Sequence, residues 1–436
     1  MLRWIALAVF LSIALAAAWV AWALNERSGP VTREALCYVG AYALEGGGDA
    51  VIVAYDDGDE MEFFFPDGAR GVMTKRGTGL FEGDGVRFAR PDCAVPRATF
   101  AKDGKTTAAA KRRFEERTLR VVSGGIELAA KLVLPPDPPR QAVIWVAGSN
   151  DDGDIDRIHW QYTLPLQGVA SLILDKRGTG GSQGSATADF HVRAADVRAS
   201  VGELRRLLGP NVEIGLHGAS QGGWVAPLAA LDGGVSFVVV SYGLAEGVTA
   251  EDRDEMAAYI KKAGYGEREL AQLRTLTGIT AKIVCSNWRD GWNELAAWRA
   301  AHADEAWPES LPSTSYTGVL LKIPSFAAGW VGPIIGRALD KDVSFAYDPR
   351  PTLAHLKARQ LWLLGGADTS APAAATVVVL RELQAAGAPI EVVVYPDASH
   401  GLMEPWPGRN AERLAPGYRE TVAEWVKTRA LAGAAP

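Results

Sequence analysis

Gly218-Ala219-Ser220-Gln221-Gly222 decides how this chain reads. The pentapeptide follows the apolar run Val212-Glu213-Ile214-Gly215-Leu216 and precedes a segment, Trp224 to Leu231, that reads as helix. A serine in G-x-S-x-G between a strand and a helix is the pattern of a nucleophile elbow. In so tight a turn, side chains two before and two after the serine would collide, and glycine stands at both places. The turn lifts the hydroxyl clear of the backbone. The helix behind it aims free N–H groups and a positive dipole end at whatever the serine attacks. Five loosely specified residues recur by chance, so the weight falls on what lies downstream.

Two complementary residues lie there. Gln360-Leu361-Trp362-Leu363-Leu364 reads as a buried strand ending in Gly365-Gly366-Ala367-Asp368, which puts Asp368 on a loop just past a strand. Ile390-Glu391-Val392-Val393-Val394-Tyr395 reads as another strand. It runs into Pro396-Asp397-Ala398-Ser399-His400, so His400 also follows a strand. Functional groups in open parallel sheets gather outside the C-terminal strand ends, where Ser220, Asp368 and His400 all fall. Rivals exist for two roles: His217, three before the serine and expected to point into the packing layer, and Glu246 or Asp397 for the acid.

The order serine, acid, histidine and these strand-end placements resemble the α/β-hydrolase superfamily. The likeness is greatest to bacterial carboxylesterases whose elbow reads S-Q-G-G-W, matched by Ser220-Gln221-Gly222-Gly223-Trp224. Two more blocks carry it. Leu172-Ile173-Leu174-Asp175-Lys176-Arg177-Gly178-Thr179-Gly180-Gly181-Ser182 looks like the family's D-x-R-G-x-G-x-S loop, with Asp175-Lys176-Arg177 expected to form a structural charge network. Val143-Ile144-Trp145-Val146-Ala147-Gly148-Ser149-Asn150 sits where many relatives carry H-G, with Ala147 in place of the histidine. The resemblance covers roughly residues 117 to 430 and implies an α/β fold, a mostly parallel sheet with helices on both faces.

The implied chemistry is ester hydrolysis through an acyl-enzyme. His400 would take the serine proton, because imidazole titrates near neutrality, and Asp368 would hold its second nitrogen. The oxyanion would be met by the backbone N–H of Gln221 and by the loop after Val146, from Ser149 or alternatively Asn150. A thioesterase, acyltransferase or peptidase of the same fold, or a membrane-tethered non-catalytic binding protein, are the alternatives. The H-G-G-G motif of some lipases is missing, which favours small or medium acyl groups. No cofactor is implied, and the partner is a small-molecule ester.

The remaining regions fill in the organisation. Residues Trp4 to Leu24 contain one polar side chain, Ser12, and read as a signal peptide or an uncleaved membrane anchor over 1–24. A polar linker follows over 25–34, and the rest would then be exported, in the periplasm or anchored outside the cytoplasm. Short apolar runs broken by Asp57-Gly58 and Asp67-Gly68 predict a small antiparallel β-rich domain or barrel over 35–112. It would be a spacer or docking domain, or alternatively a lipid or substrate pocket. Within it, Lys102 to Arg113 has no apolar pattern and reads as a linker or exposed hairpin. Residues 113–436 form the catalytic domain.

About 115 residues separate two strands of that domain, far more than an ordinary connection. In the hydrolases it resembles, such an insert, here about 244–350, is a cap over the active site. It holds Trp288, Trp292, Trp298, Trp307 and Trp330. Trp224, Trp288 and Trp292 are the candidates for substrate contact, against the alternative that the tryptophans form the cap's own core. Cys37 and Cys93 fall in one small region and are candidates for a disulfide. Cys285 reads as a buried hydrophobe, and the absence of C-x-x-C gives no zinc pattern. A formal charge of −6 without a basic run argues against nucleic acid as partner.

Overall fold

Phe237-Val238-Val239-Val240 is apolar on both sides, and both sides are covered. Side chains alternate across a strand. Val238 and Val240 enter one core, and Phe237 and Val239 enter the other. Such continuous apolar runs are what a parallel sheet buried on both faces requires. The computed structural model describes residues 31–313, 315–323, 336 and 342–431. The apolar segment 1–24, linker residues 25–30 and Trp330 lie outside the described residues.

The larger sheet has eight strands: β9 (Glu115–Ser123), β10 (Ile126–Leu134), β11 (Gln141–Val146), β12 (Ala170–Leu174), β13 (Glu213–Ala219), β14 (Phe237–Ser241), β15 (Arg359–Gly365) and β16 (Ile390–Tyr395). Their spatial order is β16-β15-β14-β13-β11-β12-β10-β9. The pair β9–β10 and the pair β10–β12 are antiparallel, and every other pairing is parallel. Helices Phe190–Leu208, Gly222–Ala230 and Ala373–Ala385 cover one face. Helices Trp160–Leu166 and Tyr418–Thr428 cover the other. Between β14 and β15 runs the insert, with helices Val248–Lys262, Glu267–Cys285, Trp292–Ala301, Trp307–Ser310 and Tyr316–Lys322.

Ahead of this sheet, eight short strands close on themselves: β1 (Gly40–Leu44), β2 (Asp49–Tyr55), β3 (Glu60–Phe64), β4 (Arg70–Gly77), β5 (Leu80–Gly83), β6 (Val86–Ala89), β7 (Arg97–Lys102) and β8 (Lys105–Lys111). All pairs are antiparallel, and β1 with β8 completes the barrel. The stretch from Lys102 lacks an apolar pattern because β7 and β8 form a hairpin in which Thr99, Lys105 and Thr106 face water, Lys102 lies over the Phe65 and Trp406 rings, and Lys111 donates to Cys37 O at 2.8 Å. Only Ala98, Phe100 and Ala109 turn inward. An eight-stranded barrel is just wide enough for side chains. Here Tyr38, Tyr42, Phe63, Phe81, Phe88 and Phe100 fill it, with ring contacts such as Tyr38–Phe81 and Phe88–Phe100 at 5.0 Å.

The barrel docks on the face that carries Trp160–Leu166. Ala54 N–H donates to Asp156 O at 2.8 Å, Leu414 N–H to Gly68 O at 3.0 Å, and Arg409 forks onto Asp103 with both bonds at 2.9 Å. One apolar cluster runs through both parts, including Phe63, Val51, Trp160 and Tyr418. One end of the barrel carries the helix Arg33–Tyr38 and the disulfide Cys37–Cys93, so the polar segment before it is already helical at Arg33 and Glu34. Cys285 is exposed, contrary to the buried reading. It ends its helix and turns away from the face carrying Leu273, Leu276, Thr280 and Ile283.

Denatured, unreduced protein should therefore show one reactive thiol, from Cys285. The C37S/C93S variant should lose roughly 4 kcal/mol of stability from the released loop constraint, measured by denaturant unfolding. Three reactive thiols would contradict the pairing.

Candidate active site

The elbow is shaped by exclusion. Ser220 has φ +50°, left-handed for a residue with a Cβ. A Cβ on Gly218 would lie 2.3 Å from Gly222 O, and one on Gly222 would lie 2.1 Å from Val146 O. Side chains at either place would force the turn open. Ser220 N–H donates to Ser241 O at 3.1 Å, tying the turn to the end of β14. Tyr242, the next residue, is also left-handed at φ +43°. Its ring meets the His400 ring edge-on at 5.0 Å. The serine and the imidazole thus flank the same short segment, 241–242. No hydrogen bond joins Ser220 Oγ to His400.

Asp368 and His400 are brought together by two loops that interlock. Gly366 N–H donates to Tyr395 O at 2.8 Å, and Ala367 N–H to Ala398 O at 3.0 Å. The approach is so close that a Cβ on Gly365 would lie 2.4 Å from Ala398 O, and one on Gly366 2.5 Å from Pro396 O. His400 Nδ1 lies 2.9 Å from Asp368 Oδ2. The other carboxylate oxygen accepts from Ser370 N–H at 2.9 Å and Ala371 N–H at 2.8 Å. Asp368 is 5 % exposed. It closes its own turn with one oxygen and holds the imidazole with the other.

The rivals are engaged elsewhere. His217 is fully buried between the Trp145 and Trp160 rings, with Nε2 2.8 Å from Ser241 Oγ. Burial drives its pKa down to about 3, so it is neutral. Glu246 pairs with Arg253 and Arg350, and Asp397 is exposed.

The loop after β11 abuts Ser220: a Cβ on Gly148 would lie 3.5 Å from Ser220 Cβ. Among the described residues, the N–H groups of Gln221, Gly148 and Ser149 have no acceptor. Three donors with open valence beside a raised serine can receive a developing oxyanion. Among the described residues the N–H of Asn150, the alternative donor of this loop, is equally without an acceptor, while its side-chain Nδ2 donates to Asp154 at 2.8 Å. In the Asp175-Lys176-Arg177 network, Asp175 accepts from Ile155 and Gly181 N–H, and Arg177 forks onto Asp196. Lys176 does something else: its Nζ donates to Gly148 O at 3.2 Å and to Asn150. Arg193, absent from the sequence reading, also reaches this loop. Its signal was a cation on the helix face that otherwise buries Phe190, Ala194, Val197 and Val201.

The tryptophans divide differently from expectation. Trp224 is 2 % exposed, packs on Phe190 and donates to Glu246 O at 2.8 Å. Trp288 and Trp292 are buried against each other in the cap, with Trp292 Nε1 donating to Trp288 O. Trp288 lines a cavity of about 490 Å³ with His191, Val284 and residues 343–348, which none of Ser220, Asp368 and His400 lines. These three act as core rather than as walls beside the serine. The reason is helical: each sits on the inward stripe of its helix or turn, where large rings are buried first.

What the cap does place near the site is charge. Helix Val248–Lys262 carries Glu251 and Glu255. Burial raises the Glu255 pKa, with Asp252 and Asp368 adding to it and His400 opposing. Among the described residues, no group of three or more His, Cys, Asp or Glu side chains is arranged to hold a metal ion, and no helix is long and apolar enough to cross a membrane.

The strand order, the serine turn after β13, and the paired Asp368 and His400 after β15 and β16 together define an α/β-hydrolase fold carrying an N-terminal β-barrel. No protein-family model matches the chain. Curated relatives include proteins named "Putative carboxymethylenebutenolidase" from Salmonella typhimurium, 29% identical over 156 residues, covering 34% of this chain and 54% of the relative. A protein of the same name from Escherichia coli K12 is 26% identical over 160 residues, covering 35% and 58%. The chain thus spans about half the length of these curated relatives. Solved structures similar to it include the Pyrococcus furiosus esterase Pf2001, with TM-score 0.42, 15% identity and coverage of 72% of this chain and 93% of that one. Porphyromonas gingivalis dipeptidyl peptidase 4 gives TM-score 0.44 and 15% identity, covering 88% and 49%.

Glu251 supplies a test of the cap's placement. Its carboxyl is pushed up to about 8, first by burial and then by Glu255, Asp252 and Asp368. A raised carboxyl keeps its proton in the folded chain where the unfolded chain has lost it. It therefore withdraws stability as pH rises from about 4.5 to about 8. The melting temperature of E251Q should exceed that of wild type by a margin that widens across this interval. A margin independent of pH would refute the assignment.

Proposed function

We propose that the chain is a serine hydrolase that cleaves carboxylic esters through an acyl-enzyme. Ser220 is the nucleophile, His400 the base and Asp368 its holder. The observation that carries this reading is the 2.9 Å contact between His400 Nδ1 and Asp368 at the strand ends, beside a serine held at φ +50°. Occupation of Nδ1 by the carboxylate leaves Nε2 as the nitrogen that takes the serine proton. Attack by Oγ on the ester carbonyl forms a tetrahedral oxyanion, received by the N–H of Gln221 and of the 148–149 loop. Its collapse breaks the ester bond, and imidazolium returns the proton to the departing alcohol. Water, deprotonated by the same imidazole, then releases the acid.

The relatives' name supports an ester over an amide, since a butenolide is a cyclic ester. The missing H-G-G-G motif favours small or medium acyl groups. Work outside the cytoplasm, by export or by an N-terminal anchor, is supported by the Cys37–Cys93 disulfide, because such bonds persist in oxidising compartments. The fractionation of a tagged full-length chain tests that part.

A fluorophosphonate probe should label the wild type and leave S220A unlabelled. D368N should lose on the order of 10⁴ in kcat, because the imidazole then adopts the wrong tautomer. Across p-nitrophenyl esters of increasing chain length, kcat/KM should peak at short or medium acyl groups. Folded wild type that neither reacts with the probe nor turns over these esters would return the chain to the binding-protein reading.

A further inference from the structure

We propose that Arg193 is a positioning residue for this reaction: it clamps the two halves of the oxyanion site together and sets a buried positive charge, hydrogen-bonded only to neutral acceptors, behind them. The inference rests on the reading of Ser220 as nucleophile.

Arg193 lies in the first turn of the helix Phe190–Leu208 and is 5 % exposed. Its Nη2 donates to Ala147 O at 2.6 Å and to Gly148 O at 3.2 Å. Its Nη1 donates to the side-chain oxygen of Gln221. Gln221 follows the nucleophile, and Ala147-Gly148 opens the loop that abuts it. One planar guanidinium therefore spans both sources of oxyanion donors, a task its rigid fork suits and a lysine's single nitrogen does not.

The clamp also sets direction. No peptide bond among the described residues is cis. In a trans peptide the C=O and the following N–H point opposite ways. With the carbonyls of Ala147 and Gly148 drawn to Arg193, the N–H groups of Gly148 and Ser149 are turned away from it. Those are two of the groups left without an acceptor. Lys176 draws on Gly148 O from another side at 3.2 Å.

Charge separates this from a neutral brace. A cation is costly to bury unless paired, yet every hydrogen-bond acceptor of Arg193 is neutral. The acids within electrical range are Asp154 and Asp196. Asp196 is ion-paired to Arg177, and Asp154 is hydrogen-bonded to Trp145 and Asn150, so neither touches the guanidinium of Arg193 and both act on it only through space. Burial lowers the Arg193 pKa to about 10, which leaves it charged at neutral pH. Such a cation, fixed before reaction, favours the negative tetrahedral state over the neutral ester.

The test compares wild type, R193K, R193M and Q221L with p-nitrophenyl acetate and with a trifluoromethyl ketone, which forms an anionic tetrahedral adduct. R193M should lose roughly 10²-fold in kcat with KM nearly unchanged. R193K should recover part of the rate, since charge returns without the fork. Affinity for the ketone should fall in step with kcat/KM, as expected of a transition-state contribution. Q221L, which keeps the backbone N–H, should lose about 10-fold. A kcat for R193M within a few-fold of wild type, or a loss carried by KM alone, would overturn the proposal. If R193M does not fold, R193K and Q221L decide: wild-type rates in both would overturn it. Wild type inert to ester and to fluorophosphonate would instead overturn the hydrolase reading beneath it.

Discussion

One row of the parallel ladder governs the rest of the molecule: Ala219, Ser241, Leu363 and Val393 lie side by side across β13, β14, β15 and β16. Hydrogen bonds between these strands align four C-terminal ends to within a residue or two. Whatever follows each strand then starts from a common rim. Ser220, Tyr242, Asp368 and His400 belong to four loops separated by up to 180 positions in the chain. Strand register starts them from one rim, and the glycines of the 365–366 turn let the last two loops close on each other. β13, β14 and β15 are buried on both faces, so a slip would cost burial against helices on one side and against Trp160, Tyr418 and the barrel on the other.

Above this rim the backbone is held in conformations that open chain avoids. Ser220, Tyr242 and Leu402 all have positive φ, and such residues persist where surrounding contacts over-determine them. The contacts are visible: Ser220 N–H on Ser241 O, Tyr242 N–H on Leu363 O, and the 366–367 loop bonded to 395–398. Beneath the rim, Tyr418 Oη–H donates to Ser241 Oγ at 2.8 Å, and Ser241 in turn meets His217. A neutral His217 ties this layer together without adding charge under Ser220.

The barrel is bonded to the hairpin that follows His400. The hairpin β17 (Met403–Pro405) with β18 (Glu412–Leu414) begins three residues after His400. It is seated on the barrel through Leu414 on Gly68, an Ala69–Arg413 bridge and Arg409 on Asp103. Between hairpin and barrel lies a cavity of about 510 Å³ bordered by Glu62, Arg70, Lys102 and Trp406. The barrel's own interior is rings packed on rings.

Much of the sheet was legible in the chain. Long apolar runs between glycine-rich turns marked the parallel strands, because burial on both faces leaves few polar positions. The glycines around Ser220 and before Asp368 marked turns that exclude a Cβ. The apolar stripe rule also marked the tryptophans as large and inward, but it did not say inward to what. Trp224, Trp288 and Trp292 turned out to serve cores, since a ring lining a pocket and a ring filling a core obey the same periodicity. Cys285 was misjudged for a related reason: its side of the helix depends on which neighbour the helix meets. Arg193 carried a local signal, a charge among apolar positions, but its meaning lay in Ala147, Gly148 and Gln221. By itself, then, the sequence determined the alternation of strands and helices, the elbow and the residue types available for acid and base, because these follow from local sterics and burial period. Only the tertiary structure decided which acid meets which histidine, that eight short strands close into a filled barrel, and that an arginine sits behind the oxyanion loop. Those are pairings across long stretches of chain, and no local rule of period or turn encodes them.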